Sequence, residues 1–127
     1  MVLWHTTIPK EGYMAELESK NAHGNADVVT QLVTMTLNPE YEQEFLDFAA
    51  YFAEKVHANE SGTLLYVLTK HPTESHTYVW VGRYRDHAAL QAHGEAPYFS
   101  EVISRMQDPA WWAKPGEILL LTQVVPQ

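Results

Sequence analysis

The sequence contains no cysteine, which excludes a disulfide scaffold, thiolate metal sites and cysteine nucleophiles. It is short of positive charge: 8 Lys and Arg stand against 16 Asp and Glu, for a net charge of −8. Nucleic acid and anionic membrane are poor partners for such a chain, because binding phosphate takes clustered Lys and Arg. Apolar runs are short, well below the roughly 18 residues a membrane-spanning helix needs, so no membrane span is expected. The opening stretch, Met1-Val2-Leu3-Trp4-His5-Thr6, lacks a basic start followed by an apolar run. No signal peptide is therefore expected, and a soluble, cytoplasmic domain is. Asn59-Glu60-Ser61 matches a glycosylation sequon, which reads as chance without a secretory signal. No Gly-x-Gly-x-x-Gly, phosphate loop or Gly-x-Ser-x-Gly occurs, so the usual nucleotide and serine-hydrolase signatures are missing.

What is present fits one globular domain. The chain has 127 residues, 46% hydrophobic and 19% charged, and at that size folding buries roughly two thirds of the unfolded chain's surface. Residues 1–27 are polar, mix Gly, Pro and charge, and show no sustained period. They read as an N-terminal extension, and residues 28–127 as the domain. Val28 to Leu37 is β-branched and apolar, a strand. Asn38-Pro39 follows, with Asn38 as N-cap and Pro39 at the first helical position. Tyr41, Phe45, Phe48, Ala49, Phe52 and Val56 then recur at spacings of three and four, the pattern of an amphipathic helix. Thr63 to Lys70 and His76 to Arg85 read as strands joined by the loop at 71–75. Asp86 caps a helix starting at His87, Gly94 weakens it, and Pro97 starts a second helical piece. Residues 108–116 hold two prolines and read as a loop. Glu117 to Val125 is the last strand.

The order strand, helix, strand, strand, helix, strand predicts an α+β, ferredoxin-like βαββαβ fold: a four-stranded antiparallel sheet with its helices on one face. Leu64 to Leu68 and Ile118 to Leu121 are apolar on both faces. The face away from the helices therefore needs a cover. A second copy of the sheet in a homodimer is one solution, and residues 1–27 folded across it the other.

The third strand carries the candidate chemistry. Thr77, Val79, Val81 and Arg83 share one face, and Tyr78, Trp80, Gly82 and Tyr84 the other. The β-branched set suits packing on helices. The aromatic set, broken by Gly82, reads either as a slot between Trp80 and Tyr84 for a flat ligand, or as core aromatics with a bulge at the glycine. Glu54-x-x-His57 lacks the second copy a di-iron bundle needs. His71 and His76 lack the other ligands of a zinc site, and His87 and His93 do not share a helix face. No metal site is expected. Trp111-Trp112 either closes one end of a pocket or packs at a subunit interface.

Tyr84-Arg85-Asp86-His87-Ala88-Ala89-Leu90-Gln91-Ala92-His93, followed by Ala96-Pro97-Tyr98-Phe99, resembles the signature of the antibiotic biosynthesis monooxygenases, a family of dimeric α/β barrels. Glu60-Ser61-Gly62 also fits, and the resemblance covers about residues 28–125. Against the family pattern, the usual acid falls at Gly82 and the histidine of the turn is replaced by Tyr98. The aromatic is kept as Tyr84 and the helix histidine as His93. Loss of the acid, and the segment Phe48-Ala49-Ala50-Tyr51-Phe52-Ala53, are similar to the branch that oxidises polycyclic aromatic polyketides. That branch carries an amide near the positions of Trp80 and Thr30, where the nearest amide here is Gln31.

The resemblance implies a cofactor-free monooxygenase that oxidises a phenol, anthrone or hydroquinone with O2 to a quinone. The substrate anion itself would reduce O2, while the protein supplies a dry pocket, a base and hydrogen bonds. His93 is the candidate base, since an unperturbed imidazole titrates near 6.5. Tyr84 and Tyr66 are candidate donors to a substrate oxygen, and Trp80 a stacking wall. Gly82, Tyr78, Gln31, Tyr98 and Trp111 complete the expected pocket. A polyketide-type cyclase or isomerase would use the same residues without O2, and a non-enzymatic aromatic-binding dimer would be indifferent to loss of His93. A heme-degrading relative is disfavoured, because Ile103 stands where such proteins place their ligating histidine.

Overall fold

The structure is a computed structural model describing residues 27–125; the expected extension falls on residues outside that segment, Asp27 excepted. Four strands, β1 (Val29–Leu37), β2 (Thr63–Lys70), β3 (Thr77–Tyr84) and β4 (Trp112–Thr122), form one antiparallel sheet in the order β2-β3-β1-β4. Three helices, α1 (Glu42–Asn59), α2 (His87–Glu95) and α3 (Pro97–Arg105), complete the expected ferredoxin-like α+β arrangement. Among the described residues, no helix is long and apolar enough to cross a membrane.

The local signals act largely as expected. Phe45, Ala49, Phe52 and Val56 form the buried stripe of α1. The Asp86 carboxylate accepts from the Ala89 amide at 2.8 Å and caps α2. Ala96, with extended φ and ψ of −62° and 142°, both ends α2 and precedes Pro97 at the start of α3. Asn38 departs from its expected capping role. Pro39–Tyr41 form a 3-10 turn without a side-chain cap, and Asn38 Nδ2 instead donates to the carbonyls of Ala110 (2.6 Å) and Trp112 (3.2 Å). It thereby ties the start of the helical layer to the start of β4. That strand begins at Trp112, five residues before the expected Glu117. Pro115 and Gly116 did not end it because β4 is an edge strand and its register against β1 shifts between Thr34 and Thr36. Such irregular edges accept proline.

The faces of β3 are the reverse of the expected ones. Tyr78, Trp80, Gly82 and Tyr84 are buried, whereas Val79, Val81 and Arg83 are only partly so. Tyr78 packs on Phe45 of α1 at 5.7 Å between ring centroids, and Trp80 on Phe52 at 6.2 Å. The aromatic face meets the helices because α1 offers phenylalanines there, and large rings fill a sheet–helix gap better than valines do. The face away from the helices carries a row running Val67, Val81, Leu32, Leu119 across all four strands. Leu65 and Leu121 flank it, and Leu119 is 53% exposed.

The expected slot at Gly82 is filled. A Cβ there would lie 2.7 Å from Tyr84 Oη and 2.9 Å from its Cε2, because the Tyr84 ring folds back over the glycine and is wholly buried. Gly82→Ala therefore collides with a ring that has nowhere to move. It should destabilise the protein by about 1–3 kcal/mol in urea unfolding; a neutral result would show that the Tyr84 ring swings aside freely.

Candidate active site

Glu60 follows the last residue of α1, and its amide closes the helix on the Val56 carbonyl at 3.0 Å. The turn Glu60–Gly62 presses against α2: a Cβ at Gly62 would come within 2.7 Å of the Ala89 Cβ. The glycine thus lets α2 approach, and its last turn delivers His93 to the Glu60 carboxylate. His93 Nδ1 lies 2.9 Å from Oε1 and 3.0 Å from Oε2. Thr63 Oγ1, at the start of β2, donates to Oε1 at 2.6 Å. The Tyr98 hydroxyl, on the first turn of α3, donates to Oε2. One carboxylate thus gathers the end of α1, the start of β2, the end of α2 and the start of α3.

Burial works to raise the Glu60 pKa. The hydrogen bond from His93, the imidazole's proximity and the hydroxyls of Thr63 and Tyr98 outweigh it and hold the carboxyl below its ordinary value. Burial first, and then the bond to Glu60, push the Tyr98 phenol well above its ordinary value, so it stays a donor. An ionised Glu60 requires the Nδ1 proton on His93, which leaves Nε2 with the lone pair when the ring is neutral. The His93 side chain is 4% exposed. Its ring packs among Tyr66 (5.1 Å), Tyr84 (5.3 Å), Phe99 (5.3 Å) and Phe52 (5.8 Å).

A groove of about 740 Å³ lies over this cluster. Glu60, Thr63 and Tyr98 line it, with Tyr51 and Lys55 from α1 on one side and Ala88, Ala89 and Ala92 from α2 on the other. His93 stands behind the carboxylate rather than on the groove. The structure brings His93, Tyr84, Tyr66 and Trp80 into one aromatic cluster, in which Tyr66 stacks on Trp80 at 4.5 Å. Gln31 pairs with Gly82 across β1 and β3. Tyr78 and Trp111 belong to the other end of the core: Trp111 packs on Phe45 and Phe48, and Tyr78 donates to Glu42. Of the expected site residues, only Tyr98 lines the groove. Glu60 and Thr63 were read merely as turn and strand; the one hint was the fit of Glu60-Ser61-Gly62 to the family pattern.

Glu42 forms a second phenol–carboxylate–imidazole set. Its carboxylate accepts from Tyr78 and meets His76 Nδ1 at 2.9 Å. Those bonds, the phenol's first, hold Glu42 below its ordinary pKa despite burial. Tyr78 in turn is pushed up to about 12, by burial and then by Glu42. Here the imidazole is 40% exposed, so this set lacks the enclosure of the Glu60 cluster. Among the described residues, no three His, Cys, Asp or Glu side chains converge to hold a metal ion.

Both carboxylates have folded pKa values below their unfolded ones. Each therefore stabilises the fold above the unfolded pKa, near 4.3, and that contribution is lost as pH falls through the folded value. Unfolding midpoints in urea should drop as pH falls below about 4.3, and drop less steeply in Glu60→Gln. Equal slopes in both proteins would place the acid-sensitive groups elsewhere.

Comparison with known proteins matches this architecture. The family model described as antibiotic biosynthesis monooxygenase matches residues 28–105. A candidate antibiotic biosynthesis monooxygenase from Caulobacter crescentus is 28% identical with a TM-score of 0.73, over 84% of this chain and 99% of that one. A Pseudomonas aeruginosa structure shares the fold with a TM-score of 0.67 at 23% identity, over 78% of this chain and 96% of its own. An uncharacterised Synechocystis protein is 27% identical over 100 residues, which are 79% of this chain and 66% of that protein. The chain belongs to the antibiotic biosynthesis monooxygenase family.

Proposed function

We propose that the protein is a monooxygenase that oxidises a phenolic or polycyclic aromatic substrate, of anthrone or hydroquinone type, with O2 and no cofactor. The observation that carries this reading is the enclosed Glu60–His93–Tyr98 cluster beneath a groove of ligand size. Tyr98 donates to Glu60, so its oxygen still has a lone pair for a substrate hydroxyl. The substrate proton passes to Tyr98 as the Tyr98 proton passes to Glu60. His93, donating to the same carboxylate, fixes the carboxylate's position. The resulting anion gives one electron to O2, and the radical pair combines at carbon. The proton returns from the cluster to give a hydroperoxide, which loses water to leave a carbonyl. For an anthrone the balance is a CH2 and O2 converted to C=O and water.

Uptake of O2 by metal-stripped protein with chelator present, against anthrones, naphthols and hydroquinones and corrected for autoxidation, tests this. Uptake that survives chelation supports it. No uptake, with substrate rearranged, would make the protein a cyclase; no uptake, with ligand bound unchanged, would make it a binding protein.

The reading includes a homodimer formed through the Val67, Val81, Leu32, Leu119 row, since an apolar sheet face of this extent asks for a cover. Leu119→Lys would bury a charge there and should give a folded monomer in sedimentation. A variant that stays dimeric would place the interface elsewhere.

A further inference from the structure

We infer that the groove takes a hydroxylated aromatic acid, with its hydroxyl at Tyr98 and its carboxylate at Lys55. This rests on the reading of the groove given above and specifies its substrate class.

Five charged residues line the groove: Lys55, Glu60, Arg85, Asp86 and Glu101. Most are already matched. Glu60 accepts from His93, Thr63 and Tyr98. Arg85 Nε lies 3.8 Å from Asp86 Oδ2, while Asp86 Oδ1 holds the Ala89 amide. Lys55 is different. Its ammonium makes no ion pair among the described residues and rests over the Tyr51 ring, 5.4 Å from the centroid. Tyr51, one turn earlier on α1, therefore holds a cation at the groove edge without neutralising it. Glu101 also lacks an ion-pair partner among the described residues, but it stands on α3, three residues beyond Tyr98. It repels an acid placed at the Tyr98 end and so favours the orientation with the acid at Lys55.

The groove suits a flat, bifunctional ligand. Lys55 from α1 and Tyr98 from α3 both line it, and its volume of about 740 Å³ admits a bicyclic ring bearing a hydroxyl and a carboxylate at opposite ends. Ala88, Ala89 and Ala92 leave the opposite wall without bulky side chains. Lys55 thus acts as a specificity-determining residue remote from the bond that reacts.

Calorimetric titration of the full chain at neutral pH with 6-hydroxy-2-naphthoic acid and with 2-naphthol tests this. The acid should bind about tenfold more tightly, the advantage of one charge-assisted pair. Lys55→Met should abolish the advantage, weakening the acid about tenfold more than 2-naphthol, and Lys55→Arg should keep it. Equal affinities in the native protein, or an advantage that survives Lys55→Met, overturn the inference and leave the groove reading intact. If neither compound binds, the groove is not the substrate site and both fall together.

Discussion

Phe52→Ala is expected to lower the free energy of unfolding by about 3–5 kcal/mol, a large share of the roughly 5–15 kcal/mol available to a domain. Phe52 is 2% exposed. Its ring touches Tyr66 and Tyr98 (both at 5.7 Å), His93 (5.8 Å), Trp80 (6.2 Å) and Phe99 (6.3 Å). Five rings from β2, β3, α2 and α3 thus converge on one side chain of α1. Rings of this size cannot close into the space one of them vacates without leaving their rotamers, so a cavity persists. Guanidinium unfolding with the slope held in common reads the loss. A loss under about 1.5 kcal/mol would mean that the aromatic cluster collapses inward and is more plastic than its geometry implies. Because His93 shares the cavity wall, the variant should also lose activity out of proportion to its remaining folded fraction.

Glu60→Gln should reduce turnover by about a hundredfold or more, the usual worth of a positioned acid–base group. The substitution preserves shape. Its amide oxygen still accepts from His93 Nδ1, but its NH2 cannot accept the Tyr98 hydroxyl proton, and the negative charge is gone. Tyr98→Phe breaks the relay at the preceding atom and should give a comparable loss while leaving the Glu60–His93 pair in place. A double variant no worse than either single one would show that the two act as one unit. Turnover within threefold of the native rate in Glu60→Gln would remove the cluster from the chemistry, whatever its part in the fold.

How much of this was legible in the sequence varies by feature. Helix α1 was, because Phe45, Ala49, Phe52 and Val56 keep its period. The Asp86 cap and the restart at Pro97 were as well, since each is a local preference of one residue, whereas Gly94 did not interrupt α2, which runs on to Glu95. The facing of β3 was not. Valines suit either side of a pleated sheet, and a sheet apolar on both faces removes the contrast that period two normally provides. The meeting of Glu60 with His93 was beyond local reading too. The two are 33 residues apart, and neither carries a spacing that names the other. The resemblance pointed to His93, while the residue that organises it lay in a turn.

Ala96 is the single extended residue between α2 and α3, and His93, three residues before it, and Tyr98, two residues after it, hold the same carboxylate. The chain's change of direction is thus fastened by a hydrogen-bonded clasp rather than by apolar packing alone. On the proposed reading, a ligand hydroxyl that engages Tyr98 would load that clasp directly. Occupancy of the groove and the angle between the two short helices would then be mechanically linked, so that a ligand favouring one angle binds more tightly when the joint already holds it.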